Sequence, residues 1–157
     1  MTTTPADVEI LRGVLDPWKA AVDAHDPEGI AELFTEDAVF QGLHPYTVGR
    51  QGVADYYASQ PLGLTAEYRI LETRRPASDF VYGYLSVDFG FADGRPTVPV
   101  LIGVAAQRSG DDWTLALYQV SHRPASISPP PIIAPAIMEL WDGGDQNAAA
   151  RFGVVGT

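Results

Sequence analysis

Phe80-Val81-Tyr82-Gly83-Tyr84-Leu85-Ser86-Val87-Asp88-Phe89-Gly90-Phe91 is the stretch that decides the fold class. It is built from β-branched and aromatic residues, which fit a pleated surface. Both of its alternating sets are apolar: Val81, Leu85, Val87 and Phe89 on one side, Phe80, Tyr82 and Tyr84 on the other. A sheet with one wet face alternates polar and apolar residues instead. This strand is therefore expected to be covered on both faces. Working outward, Ala66 to Arg74, Thr97 to Arg108 and Trp113 to Arg123 have the same texture. Pro76-Ala77-Ser78-Asp79, Ala92-Asp93-Gly94-Arg95-Pro96 and Ser109-Gly110-Asp111-Asp112 separate them, each a turn signal of hairpin length.

Upstream the period changes to that of helices. Thr4 can cap, Pro5 suits a first helical position, and Asp7 and Glu9 favour the positive end of the dipole. Val8, Leu11, Leu15, Trp18 and Val22 then recur at three- and four-residue steps, one apolar stripe on a long helix. Asp26-Pro27-Glu28 repeats the start signal and predicts a short helix through Ile30, Leu33 and Phe34. Ala38 to Gln41 reads as a brief strand and Gly42 to Gly49 as a loop. A third helix follows from about Arg50 to Ser59, with Val53, Tyr56 and Tyr57 facing inward. Three helices before a run of hairpin-linked strands imply an α+β fold, with the helices on one face of an antiparallel sheet. The other face is left for a second subunit or for the rest of the chain.

Composition excludes several classes. The 157 residues suffice for one domain with a sizeable core. Charged residues are only 19%, below the roughly 25% of an average soluble protein, which again points to surface hidden in a homodimer or to an internal cavity. Ten Lys and Arg against 20 Asp and Glu give a net charge of −10. Phosphate backbones and anionic membrane faces repel such a chain, and Arg74-Arg75 is its only basic cluster. With no cysteine, disulfides, thiolate nucleophiles and Cys-ligated metals are excluded. Lys19 is the only lysine, which leaves little room for Schiff-base chemistry. The first residues lack the pattern of a signal peptide, and no apolar run has the length of a membrane span. A cytoplasmic protein is expected. Residues 124–157 change texture again, with Pro124, Pro129-Pro130-Pro131 and Pro135 beside Ile132, Ile133, Ile137, Met138, Leu140 and Trp141. This Pro-rich tail is too broken for a central strand and too apolar for water. It is expected to dock on domain 1–123, either as a lid over a pocket mouth or as a simple cover, or to reach across a dimer.

Several of these residues carry a resemblance. Trp18 on its helix, Ala24-His25-Asp26 leading into Ile30-Ala31-Glu32-Leu33-Phe34, Thr35-Glu36-Asp37-Ala38-Val39-Phe40, and Gly49-Arg50-Gln51-Gly52-Val53 resemble the nuclear transport factor 2-like superfamily. The likeness is to its bacterial SnoaL-like and SgcJ/EcaC-like members, and Trp113-Thr114-Leu115 through Tyr118-Gln119-Val120-Ser121-His122 looks like their last strand. The resemblance covers about residues 8–123. It implies a cystatin-like cone of three helices on a curved sheet, enclosing a pocket. The superfamily includes ketosteroid isomerases, polyketide cyclases, dehydratases, epoxide hydrolases and non-catalytic binding domains, so the fold selects no reaction. Ketosteroid isomerases place a catalytic Asp just after the first short strand, where this chain has Gly42. Isomerase activity is therefore not carried over.

Candidate site residues follow, each with a bland alternative. His44, in the loop beside Pro45 and Tyr46, can move a proton near neutral pH at the pocket mouth, or simply sit in water. Asp88 is the one carboxylate within the apolar third strand, and burial would make it a base or a protonated donor. Solvation near the strand end would leave it ordinary. His122 can bind a carbonyl or anchor the Pro-rich turn. Trp18, Tyr46, Tyr56, Tyr84 and Tyr118 are candidate substrate-binding aromatics, with Trp18 and Tyr56 equally at home in the core. No metal-ligand spacing is present, and no cofactor is expected. The leading expectation is a cofactor-free acid–base enzyme of bacterial secondary metabolism. It would cyclise, dehydrate or isomerise an apolar, polyketide-like small molecule. The alternative is a non-catalytic ligand-binding or assembly domain with the same pocket.

Overall fold

Thr4 starts the first helix: its hydroxyl oxygen accepts a hydrogen bond from the Asp7 N–H at 3.2 Å, and Pro5 occupies the first turn. The helix, α1 (Pro5–Asp23), is seen in a computed structural model that describes residues 1–123. Leu11, Val14, Leu15, Trp18 and Val22 form its buried stripe. Pro17 lies inside α1 and withholds one intrahelical hydrogen bond. The buried stripe on either side of it keeps the helix on the sheet.

The Asp26 carboxylate accepts the Gly29 N–H at 3.1 Å and opens α2 (Pro27–Ala31). This helix stops short of the expected Leu33 and Phe34. The Leu33 carbonyl instead accepts Leu115 N–H at 2.8 Å, and Phe34 begins β1 (Phe34–Gln41). Pairing with a distant strand thus overrides the local helical pattern. The segment read as one loop also holds a short strand, β2 (Thr47–Val48), folded back on β1 with Val39 opposite Val48. Gly49 sits at φ +99°, a left-handed conformation that favours glycine. It turns the chain into α3 (Arg50–Ala58), whose Val53 and Tyr57 are buried.

Four long strands follow: β3 (Thr65–Ala77), β4 (Phe80–Gly90), β5 (Val98–Ser109) and β6 (Asp112–His122). They agree with the sequence expectations to within a few residues at each end. The sheet order is β2-β1-β6-β5-β4-β3, and every neighbouring pair is antiparallel except β1 and β6. That pair is parallel because α3 carries the chain to the far edge. Three hairpins then bring it back, so β6 arrives beside β1 in the same direction. The helices cover one face. There Val81, Leu85 and Val87 meet Ala106, Ile102 and Val100, and the core continues through Tyr118 and Phe40. On the opposite face Tyr82 and Tyr84 are each 44% exposed, beside Leu117 and Val39. Within the described residues, the two-sided apolar strand is thus covered on one side. The expected docking of Ile137, Leu140 and Trp141 falls outside the described residues. Among the described residues, no helix is long and apolar enough to cross a membrane.

Candidate functional site

A pocket of about 60 Å³ lies where α3 overhangs one end of the sheet. Leu43 follows β1, Tyr56 and Tyr57 stand on α3, and Leu64 precedes β3. Phe89, Phe91, Val98 and Val120 come from the adjoining ends of β4, β5 and β6, and Gln60 adds an amide. Adjacent helical residues point about 100° apart, so Tyr56 and Tyr57 reach different depths. Tyr57 is buried and Tyr56 half-buried.

Tyr57 belongs to a buried polar chain. Trp18 Nε1–H donates to Tyr57 Oη at 3.2 Å, and the Tyr57 hydroxyl donates to Tyr118 Oη at 3.2 Å. Aromatic rings enclose this chain: Phe40 stacks on Tyr118 at 4.7 Å, and Trp18 and Phe34 lie at angles to it. Burial pushes the Tyr57 phenol far above the usual range, against the pull of its hydrogen bonds to Tyr118 and Trp18. Burial likewise raises Tyr118, helped by the neighbouring Tyr57. Both phenols stay protonated at neutral pH, and Tyr57 donates its proton to Tyr118. Three donor protons share two hydrogen bonds, and among the described residues the Tyr118 hydroxyl proton has no acceptor.

Tyr56 closes the pocket on the solvent side. Its Oη accepts the Leu43 N–H at 3.3 Å, and its ring end rests on Gly42. A Cβ at position 42 would lie 2.3 Å from its Cζ. Burial pushes the Tyr56 phenol up, with the Leu43 N–H opposing. The His44 ring meets it edge-on at 5.4 Å from outside.

The sequence candidates are not brought together. His44 and Tyr46 are both exposed in the β1–β2 connection, Tyr46 to 65%. His122 is exposed at the end of β6, two residues beyond the pocket-lining Val120. Asp88 and Tyr84 lie elsewhere. Strand alternation turns Val87 and Phe89 inward, so Asp88 and Tyr84 project from the opposite face of the sheet, away from the pocket. There the Arg123 guanidinium holds the Asp88 carboxylate at 2.6 Å and also donates to Ser86. The expected buried base is a partly exposed ion pair. Trp18 and Tyr118 belong to the buried chain rather than to the pocket wall. Sequence reading missed Tyr57, Leu43, Gln60 and Phe91 as site residues. The adjacent pair Tyr56-Tyr57 was the available signal. Among the described residues, no three His, Cys, Asp or Glu side chains are placed to hold a metal ion.

Solved structures share this architecture. A domain of unknown function with a cystatin-like fold from Nostoc punctiforme PCC 73102 superposes with a TM-score of 0.67 at 16% identity, over 90% of this chain and 88% of that one. An NTF-2 like protein of unknown function from Shewanella oneidensis MR-1 gives 0.63 at 12% identity, over 73% and 98%. The chain has the cystatin-like fold of NTF2-like proteins. A ketosteroid isomerase-like protein from Erwinia carotovora atroseptica SCRI1043 shares this fold with a TM-score of 0.61 at 19% identity, covering 80% of this chain and all of that one (100%). No protein-family model matches the sequence, and no curated protein matches it. At these identities the likeness carries the NTF2-like fold and no chemistry.

Proposed function

We propose that this chain binds a small apolar molecule bearing a hydrogen-bond acceptor, in the pocket beneath α3. The observation that carries this reading is the character of the pocket wall. It is apolar throughout except for the Gln60 amide and the phenols of Tyr56 and Tyr57, which are held protonated by burial. Such groups carry no charge and do not take protons at neutral pH, so the wall suits a neutral molecule, with the Gln60 amide and the Leu43 N–H as donors to its acceptor. Small-molecule sites combine an apolar lining with a few placed polar groups in this way. A panel of neutral cyclic ketones and phenols, titrated against the chain and followed by NMR, tests it. Saturable binding that Val98→Trp abolishes by filling the pocket is the expected result. No saturable binding by any of them at millimolar concentration would end the reading.

A second reading keeps acid–base chemistry on a polyketide-like substrate of bacterial secondary metabolism, without a cofactor. One observation favours it: His44 stands against Tyr56 at the mouth, in reach of a molecule that spans it. In this scheme His44 moves the proton and the phenols stabilise a developing enolate. Turnover would then fall about 10²-fold or more in His44→Ala, while Asp88→Asn would leave it unaltered. Equal rates in His44→Ala and the unmodified chain exclude the scheme. We further propose that two copies pair through the sheet face that the described residues leave uncovered, where Val39, Leu117, Tyr82 and Tyr84 are exposed beside the Glu72–Arg74 ion pair of β3.

A further inference from the structure

We propose that Tyr56 is the specificity-determining residue of this pocket: its phenol occupies the ligand's place, and the ligand is an oxygen-bearing ring that displaces it and takes over the Leu43 N–H. The inference rests on the binding function proposed above and adds which molecule fits and what must move. A cavity of about 60 Å³ has room for about two waters, whereas sites for organic ligands are several times larger. Some wall residue must therefore yield.

Of the pocket's two tyrosines, Tyr56 is the one less held in place. Tyr57, beside it, is buried and makes two hydrogen bonds. Tyr56 is only partly buried, and its hydroxyl has one hydrogen bond, from the Leu43 N–H at 3.3 Å. Its ring end lies in a volume that a side chain at position 42 would claim. A Cβ there would approach Cζ to 2.3 Å, Cε2 to 2.5 Å and Oη to 2.6 Å. Glycine at position 42 is what allows the ring to seat. Once the ring swings outward, that volume joins the pocket. The vacated slot is bordered by the rings of Phe40 and Tyr57, which stand 5.0 and 5.1 Å from Tyr56 in edge-to-face contact. A flat ring entering the slot recovers both contacts. The Leu43 N–H loses its acceptor in the same event, so a ring bearing an oxygen replaces what a bare hydrocarbon cannot.

The test measures p-cresol and toluene binding to the unmodified chain, to Gly42→Ala and to Tyr56→Ala, by NMR titration. Gly42→Ala adds an atom to the wall, which in a rigid pocket would weaken binding. The expected result is instead p-cresol binding at least tenfold tighter than in the unmodified chain, because the methyl group expels the Tyr56 ring. Tyr56→Ala reaches the same state by removing the ring and keeps the test decisive if Gly42→Ala does not fold. In each folded variant p-cresol is expected to bind several-fold tighter than toluene. Variants that bind p-cresol no tighter than the unmodified chain, or that do not distinguish it from toluene, overturn this inference alone. Absence of p-cresol binding in all three proteins overturns both it and the binding function.

Discussion

Tyr57 and Tyr118 look equivalent as buried phenols, yet proton counting separates them. Replacing Tyr57 with Phe strands the Trp18 N–H and removes the one hydrogen bond to the Tyr118 hydroxyl. Tyr118→Phe removes one acceptor together with the one proton that lacks a partner. Tyr57→Phe is therefore expected to destabilise by about 1–3 kcal/mol and Tyr118→Phe by less than about 1 kcal/mol, read from urea unfolding. The reverse order would refute this count. The same two phenols set a pH limit. Their folded pKa values lie above the unfolded value near 10, so above that pH the folded state holds more protons than the unfolded one. Stability is full below about pH 10 and falls as pH rises beyond it. An absorbance titration should show Tyr57 and Tyr118 ionising only on unfolding. Thr73 offers a contrasting case. It is fully buried, and among the described residues its hydroxyl has no hydrogen-bond partner. Thr73→Val should leave stability unaltered or raise it by up to about 1 kcal/mol in the same unfolding assay.

At the scale of elements, local chemistry accounts for the helix starts. Thr4 and Asp26 cap as their sequence contexts imply, and Thr4→Ala is expected to cost about 1 kcal/mol of stability by thermal or urea unfolding. The long strands were also legible, because alternation and turn chemistry act over a few residues. Phe34 shows where that reach ends. Its helical spacing with Ile30 is sound as a local pattern, but the Leu33 carbonyl and Phe34 are claimed by β6, about 80 residues further on. β2 escaped notice for a related reason, since two residues carry too little pattern and exist as a strand only against β1. Asp88 is a different kind of miss. Its face followed from the parity of Val87 and Phe89, whereas its partner Arg123 could come only from the fold.

At the scale of the whole molecule, the open sheet face is the largest unresolved demand of the composition. Among the described residues, Val39, Tyr82, Tyr84 and Leu117 lie on it uncovered, and the charges beside the two tyrosines, Glu72 and Arg74, neutralise each other at 3.0 Å. Two chains of net charge −10 repel one another, and a face whose charges are internally paired is where they can approach. Sedimentation equilibrium at micromolar concentration is expected to give about twice the 16.9 kDa chain mass, and Leu117→Asp to return it to one chain. A single-chain mass for the unmodified protein would refute the pairing. The binding and gating experiments stand apart from this one, because the pocket and the open face lie on opposite sides of the sheet.

By itself the sequence determined the α+β class, the long strands, the capped helices and the inward set of β4, all consequences of short-range periodicity and turn chemistry. It also placed Tyr56 and Tyr57 on one inward-facing helix. Only the tertiary structure decided that β1 pairs parallel to β6, that Asp88 leaves the pocket for Arg123, and that Trp18, Tyr57 and Tyr118 join in one hydrogen-bonded chain. Most of these contacts link residues tens of positions apart, and no local pattern encodes them. The seating of Tyr56 on Gly42 is of the same kind. A glycine announces an absent side chain, and only packing reveals which neighbour has taken its place.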